Sequence, residues 1–152
     1  AARRRDESVG ASEALGSATV EPLGLPDGSL FSSLDRLRAA IERVVPERGP
    51  DLLLVPSPLE STDDHRAAFA ALHQVLSGLR PGDPLADSLA ELRVLAYEVN
   101  HPAHPDLLVD VSGERAAIER AMAFYRSQLD RHPYLDAAIG LRRWRVPSDR
   151  RT

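Results

Sequence analysis

The sequence contains no cysteine and no lysine, and the first absence is the more informative. Without cysteine the chain can form neither a disulfide framework nor a thiolate metal site. All nineteen basic residues are arginine. Arginine forks suit phosphate and carboxylate groups, but a GC-rich coding sequence explains the bias more simply. We therefore give the arginine content no functional weight.

Positive charge and long apolar runs are also lacking. The formal net charge is −4, which argues against nucleic acid as a partner, because a nucleic-acid binder needs a basic face. No apolar run has the length of a transmembrane helix. The first seven residues lack the apolar region of a secretory signal. We expect a protein without a membrane span, with the cytoplasm as its default location.

The remaining composition is that of one globular domain, which we place at residues 1–152. Apolar residues make up 43% of the chain and charged residues 28%, both ordinary values. Hydrophobic spacing and turn residues predict helices and strands in alternation, which implies an α/β fold with a sheet covered on both faces. The predicted helices span residues 3–15, 32–45, 63–79, 112–130 and 134–143, and the predicted strands span residues 19–23, 51–56, 92–99 and 107–111.

Two loops lie where chemistry is expected in such a fold. Ligands of open α/β sheets bind at the carboxyl ends of the strands. Residues 23–29 and 56–62 follow predicted strands at that edge, and the second loop enters the helix that begins at Asp63. Asp64 and His65 lie in its first turn. Imidazole is a natural metal ligand, although from these two residues alone a helix-capping or solvent-contacting role is the simpler interpretation.

Several segments, taken in order, resemble the zinc-dependent sugar N-deacetylases of the PIG-L or LmbE family. Residues 23–28, Leu-Gly-Leu-Pro-Asp-Gly, are similar to the family's Leu-Pro-Asp-Gly turn. Residues 51–55 followed by Asp-His-Arg-Ala at 64–67 resemble its strand and its His-Pro-Asp-His-Arg motif. Further similarities are Arg-Arg-Asp-Glu at 4–7 with Leu-Gly at 15–16, Tyr-Glu-Val at 97–99, Val-Asp-Val-Ser at 109–112, and Tyr-Arg-Ser-Gln at 125–128.

The resemblance implies a three-layer, Rossmann-like, mostly parallel sheet and zinc-dependent removal of an N-acetyl group from an amino sugar such as N-acetylglucosamine or its conjugate. Zinc polarises the amide and activates a water, while a carboxylate takes the water's proton. By this resemblance His65 is a metal ligand and Asp64 supports it. Arg4 and Asp27 correspond to the residues that bind the sugar hydroxyls, although a solvated helix end and a plain turn residue are the respective alternatives.

The chain departs from the family in two ways. The family's Ala-His-Pro-Asp-Asp-Glu motif, which carries the general base and two zinc ligands, has no counterpart here, so the fold is expected to be incomplete at its N-terminus. Thr62 stands where the family has the acid histidine, and threonine cannot carry a proton near neutral pH. We expect the chain alone to be inactive. Either the natural product is longer, or another chain supplies the missing strands. Homo-oligomer formation is left open.

Residues 103–106, Ala-His-Pro-Asp, spell the first four letters of that motif but precede a predicted strand instead of following one. With His101 they could form a relocated ligand set, although a surface loop is the simpler interpretation. The leading hypothesis is a zinc-dependent N-deacetylase acting on an N-acetylated amino sugar. The alternatives are a non-catalytic remnant that binds a sugar or a partner, and an interaction scaffold without a ligand.

Overall fold

A computed structural model describes residues 2–16 and 19–145. They form a mixed helix and strand protein with a small parallel sheet. Its helices are α1 (Ala2–Ala14), α2 (Leu34–Arg48), α3 (Asp63–Gly78), α4 (Pro84–Ser88), α5 (Arg115–Met122), α6 (Arg126–Leu129) and α7 (Tyr134–Arg145), and its strands are β1 (Leu52–Pro56) and β2 (Arg93–Tyr97). Single 3-10 turns lie at Leu30–Ser33 and Ser112–Glu114. No helix in the described part is long and apolar enough to cross a membrane.

The chain divides into two compact units. The central unit runs from Leu23 to Asp106, and the terminal unit combines residues 1–22 with residues 107–152. The central unit holds α2, α3, α4 and both strands, and the terminal unit holds α1 and the last three helices.

The central unit is built around α3. Strands β1 and β2 pair in parallel, with Leu52 opposite Arg93 and Pro56 opposite Tyr97, and α3 follows β1 on the way to β2. Helix α3 contacts both α2 and β1. Ala67 and Ala71 are fully buried, and such small side chains let the helix approach its neighbours closely. The other buried apolar side chains of this unit are Leu37, Val45, Val55, Leu72, Val75 and Leu89.

The sheet has one covered and one open face within the described residues. Val55 is buried toward the helices, whereas Leu54, on the opposite face, is 58% exposed. Its partner Leu95 and its neighbour Leu52 are exposed as well. The continuous apolar run at 52–55 predicted a strand buried on both sides. The strand and its parallel pairing are confirmed, but that burial is not.

Two predicted strands are wrong. Residues 19–23 and 107–111 have no strand structure, and in the second segment Leu107, Leu108 and Val109 are all exposed. A strand needs a neighbouring strand to take its backbone hydrogen bonds. Neither segment pairs with a strand among the described residues. Apolar composition alone was therefore not enough to predict strand structure there.

The other helix boundaries follow the predictions, apart from two local differences. Helix α2 continues through Pro46 to Arg48 and ends where Gly49 adopts a left-handed φ of 55°, with its N–H donating to the Val45 carbonyl. Ser33, not Ser32, is the residue before α2, and its side chain makes no capping hydrogen bond. The helix therefore begins as a continuation of the preceding 3-10 turn.

The predicted long helix at 112–130 is broken in the terminal unit. It consists of the 3-10 turn that begins at Ser112, then α5, and then α6 after a break at residues 123–125. The carboxylate of Glu7, on α1, accepts hydrogen bonds from the Ser127 backbone N–H (2.8 Å) and hydroxyl (2.5 Å). This tertiary contact caps the first turn of α6 and favours a new helix start over continuation.

The break also brings Phe124 against α1. A Cβ atom at Gly10 would collide with the Phe124 ring, so glycine is what permits this approach. Helix α1 thus contacts the break itself through Gly10 and the following helix α6 through Glu7.

Replacing Glu7 by glutamine should flatten the dependence of stability on acid pH. Hydrogen bonds from the Ser127 hydroxyl and amide lower the pKa of Glu7 below its ordinary value of 4.5, against the opposing effect of burial and with help from Arg3. A lowered folded-state pKa gives stability that is present above the unfolded-state pKa and lost as pH falls through the folded-state value. Urea midpoints measured from about pH 6 to about pH 3 should therefore fall less in E7Q than in the wild type.

The control for this experiment is E13Q, which removes an exposed carboxylate from the same helix. Its urea midpoint should fall with pH as the wild type's does. If E7Q declined as steeply as E13Q, the contact between Glu7 and Ser127 would contribute nothing to acid stability.

Candidate functional site

The candidate site lies at the N-terminus of α3, at the carboxyl ends of the two strands. Because β1 and β2 are parallel, the loop after β1 and the segment after β2 emerge at the same edge of the sheet. The Ser57 N–H donates to the Tyr97 carbonyl at 2.7 Å, which extends the strand pairing into the loop. The loop then turns through residues 57–62 into α3, and its Glu60 and Thr62 side chains contact the segment that follows β2.

The carboxylate of Glu60 connects these two segments. Its side chain is the largest that is fully buried in the described part of the chain, with a relative exposure of 1%. The backbone N–H groups of Val99 and Asn100 donate to it at 2.7 and 2.9 Å, and that of His101 donates at 3.4 Å. Burial by itself raises the pKa of Glu60, but these amides and the His65 ring together outweigh it, so the pKa is lowered. Glu60 is thus a buried, ionised carboxylate.

His65 lies against the same carboxylate. Its Nδ1 is 3.1 Å from Oε2 of Glu60, and its side chain is 28% exposed. An ionised carboxylate only accepts, so Nδ1 is the donor and carries the proton. The lone pair of the neutral ring is then on Nε2. A histidine that binds a metal through one ring nitrogen usually donates the N–H of its other ring nitrogen to a carboxylate, a backbone carbonyl or water.

Asp64 holds a different segment. Its two carboxylate oxygens accept from the Gly28 N–H at 2.6 Å and from the Leu30 N–H at 3.0 Å. The turn that carries the exposed Asp27 is thereby fixed to the first turn of α3. Glu60 makes the hydrogen bond to the His65 ring, whereas Asp64 holds the turn that contains Asp27.

Thr62 occupies the position before α3 and is exposed. Its hydroxyl makes no capping bond to the helix and instead accepts a hydrogen bond from the Asn100 side-chain amide at 3.0 Å. Burial, and after it the charge of Glu60, raises the pKa of Tyr97 at the end of β2. Thr62 therefore lies at the same edge as Glu60, where its hydroxyl is a hydrogen-bonding group without acid or base capacity near neutral pH.

Arg4 belongs to the terminal unit, where it is exposed on α1 and its carbonyl accepts from the Ser8 hydroxyl at 2.9 Å. The other four predicted residues, Asp27, Thr62, Asp64 and His65, all lie in the central unit. The geometry at α3 accordingly brings together four of the five.

The histidine-rich segment after β2 does not form a second metal site. Residues 101–106 have no regular structure, and His101, His104 and Asp106 are all exposed, as expected of a surface loop. His73 is exposed on α3, where its ring stacks on Phe69 at 6.2 Å between centroids. In residues 2–16 and 19–145, no group of three or more histidine, aspartate or glutamate side chains is placed to hold one metal ion. His65 fits a single zinc ligand, and the described residues do not complete a catalytic set of three.

The terminal unit contains an apolar cleft. It has a volume of about 450 Å³ and is lined by residues of α1 and α5 together with Leu15, Val20 and Tyr125. It contains no carboxylate, histidine or arginine. The cleft therefore offers no group for acid–base or metal chemistry, and the edge at α3 remains the candidate site.

The sequence indicated the loop at 56–62 but missed Glu60 within it. A single glutamate in a polar loop has no pattern that reports burial. The one available signal was its place five residues before His65, in a loop that leads from a buried strand to a helix.

Comparison with known families gives one match. The family model described as PIG-L, GlcNAc-PI de-N-acetylase, matches residues 1–76, half of the 152-residue chain. Comparisons with curated proteins and with solved structures gave no match. The matched residues include Arg4, Asp27, Glu60, Thr62 and the pair Asp64–His65. The similarities at residues 97–99, 109–112 and 125–128 lie outside the match and stay predictions.

Proposed function

The chain belongs to the PIG-L family of GlcNAc-PI de-N-acetylases, and from that premise we propose that it is a zinc-dependent hydrolase domain that removes an N-acetyl group from an N-acetylglucosamine-like amino sugar or its conjugate. The observation that supports this most directly is His65 Nδ1 held 3.1 Å from the buried Glu60 carboxylate, because this leaves Nε2 as a metal-binding nitrogen. We place the activity in the cytoplasm by default, with no nucleic-acid partner.

The proposal assigns each residue at the edge a task. His65 would hold zinc, which supplies polarisation of the amide carbonyl and a lowered pKa for water when bound. Asp27 would accept hydrogen bonds from sugar hydroxyls, and Asp64 keeps its turn in place. Arg4 would bind the sugar as well. Thr62 can donate a hydrogen bond to the substrate but cannot deliver a proton.

The general base and the other zinc ligands are proposed to come from outside these residues. We further propose that the two units belong to one deacetylase-like domain with a three-layer, Rossmann-like sheet, of which β1 and β2 are two strands. A longer gene product or a second chain in an oligomer would supply the rest. The 152-residue chain alone should then release acetate from N-acetylated amino sugars only negligibly.

Zinc titration followed by NMR of the histidine rings tests the metal role. We expect zinc to perturb the His65 ring signals at the lowest concentration, and H65Q to lose this first response. The matched control is H73Q, which removes an exposed histidine from the same helix and should keep it. A response confined to other histidines, or none up to millimolar zinc, would contradict the assignment of His65 as a ligand.

A second candidate, a non-catalytic domain that binds a sugar or a partner, is favoured by one observation. Thr62, in place of the family's acid histidine, has its hydroxyl held by Asn100. The coding sequence before Ala1 discriminates between the two: an in-frame His-Pro-Asp-Asp-Glu supports the enzyme, whereas a stop codon supports the binding domain. Saturation-transfer NMR with N-acetylglucosamine adds a direct test, since binding without acetate release by the complete gene product would leave only the second candidate.

A further inference from the structure

The strongest unassigned feature of the molecule is the convergence of hydrogen-bond donors on Glu60. Its oxygen Oε1 accepts from Val99, Asn100 and His101, and its oxygen Oε2 accepts from Asn100 and lies 3.1 Å from His65 Nδ1. All of these partners except His65 lie 39 to 41 residues away in sequence. The carboxylate thus joins the start of α3 to the segment that leaves β2.

We propose that Glu60 is a positioning residue that fixes the His65 ring in the tautomer with the proton on Nδ1 and holds residues 99–101 beside it. Its significance for metal binding rests on the proposed function, in which His65 is a zinc ligand. The positioning itself concerns only groups within the central unit, and it can be measured without metal or substrate.

The hydrogen-bond partners of residue 60 explain why a carboxylate is needed at this position. The hydrogen-bond partners of Glu60 in the described part of the chain are all donors: the amides of Val99, Asn100 and His101, and the imidazole of His65. An ionised carboxylate is purely an acceptor and has about four lone-pair sites. A glutamine would keep one acceptor oxygen and turn two N–H donors toward other donors. The site therefore discriminates between glutamate and its closest isostere.

The same carboxylate ties Thr62 to the site indirectly. Once the amide of Asn100 is held by Glu60, the Asn100 side chain is placed to donate to the Thr62 hydroxyl at 3.0 Å. His65 and Thr62, on either side of the start of α3, are thereby arranged by one buried group. Loss of Glu60 should disturb both, whereas the turn held by Asp64 has its own hydrogen bonds and should persist.

Nitrogen-15 NMR of the full chain, recorded at about pH 8, tests the proposal. The H65Q variant identifies the His65 ring signals. In the wild type we expect His65 to carry its proton on Nδ1. In E60Q we expect this preference to be lost, and the amides of Val99 and Asn100 to exchange with solvent about tenfold faster or more. The control E91Q removes an exposed glutamate and should change neither.

Two results would overturn the proposal. One is a wild-type His65 ring protonated on Nε2, a measurement that needs no variant and so holds even if E60Q folds poorly. The other is an E60Q protein with faster exchange at Val99 and Asn100 but an unchanged His65 tautomer, which would make Glu60 a structural clamp for the loop alone. The zinc titration separates the positioning role of Glu60 from the proposed function. If His65 is protonated on Nδ1 but its ring signals do not respond to zinc, the positioning role is supported and the metal role is excluded.

Discussion

Replacing Glu60 by alanine should lower the free energy of unfolding by about 2–4 kcal/mol, the effect expected when several buried donors lose a charged acceptor. The amides of Val99 and Asn100 and the His65 ring would face a space with no acceptor. The loss is smaller than the sum of the individual bonds because removing a buried charge also relieves its desolvation cost. Urea denaturation followed by circular dichroism, with linear extrapolation to water, measures the difference.

The matched control for this prediction is E91A, which truncates an exposed glutamate in the same unit and should change stability by no more than about 0.5 kcal/mol. If E60A were as stable as E91A, the segment at 99–101 would have found other acceptors, and the convergence on Glu60 would not be an energetic feature of the fold.

Sequence patterns predicted the elements whose formation is decided locally. Helix α3 has its apolar residues at helical spacing, and β1 is a short apolar run between turn residues, so both were placed to within a residue or two. Strand structure at residues 19–23 and 107–111 was predicted wrongly, because a strand forms only beside another strand that takes its backbone hydrogen bonds. The break between α5 and α6 depends on Glu7, which is 120 residues from Ser127. Such contacts leave no local pattern.

The candidate site shows the same division. Asp64, His65 and Asp27 were found because the segments that carry them resemble motifs of a known family. What these residues bond to could not be predicted, since Asp64 reaches Gly28 across 36 residues and Glu60 reaches Val99 across 39. That Glu60 is the carboxylate beside the His65 ring is therefore a structural result, which the sequence did not indicate.

Replacing Leu72 by alanine should cost about 2–5 kcal/mol of unfolding free energy, the range for deleting a buried leucine side chain and leaving a cavity. Leu72 is 4% exposed. It lies in α3 next to the fully buried Ala71 and near the buried Val75, on the side of the helix that faces the core of the central unit. The control is L59A, since the same atoms are removed from a leucine that is 64% exposed. Urea denaturation should show a clear loss for L72A and a change within about 0.5 kcal/mol for L59A.

L72A and E60Q should also differ in the His65 tautomer of the folded protein. Leu72 lies seven residues, about two helical turns, beyond His65, and it makes no hydrogen bond to the loops at the sheet edge. Folded L72A should therefore keep the wild-type His65 tautomer at a lower midpoint of unfolding, whereas E60Q should change the tautomer. If L72A altered the His65 ring as E60Q does, the arrangement at the edge would depend on the packing of α3 and not on the Glu60 carboxylate.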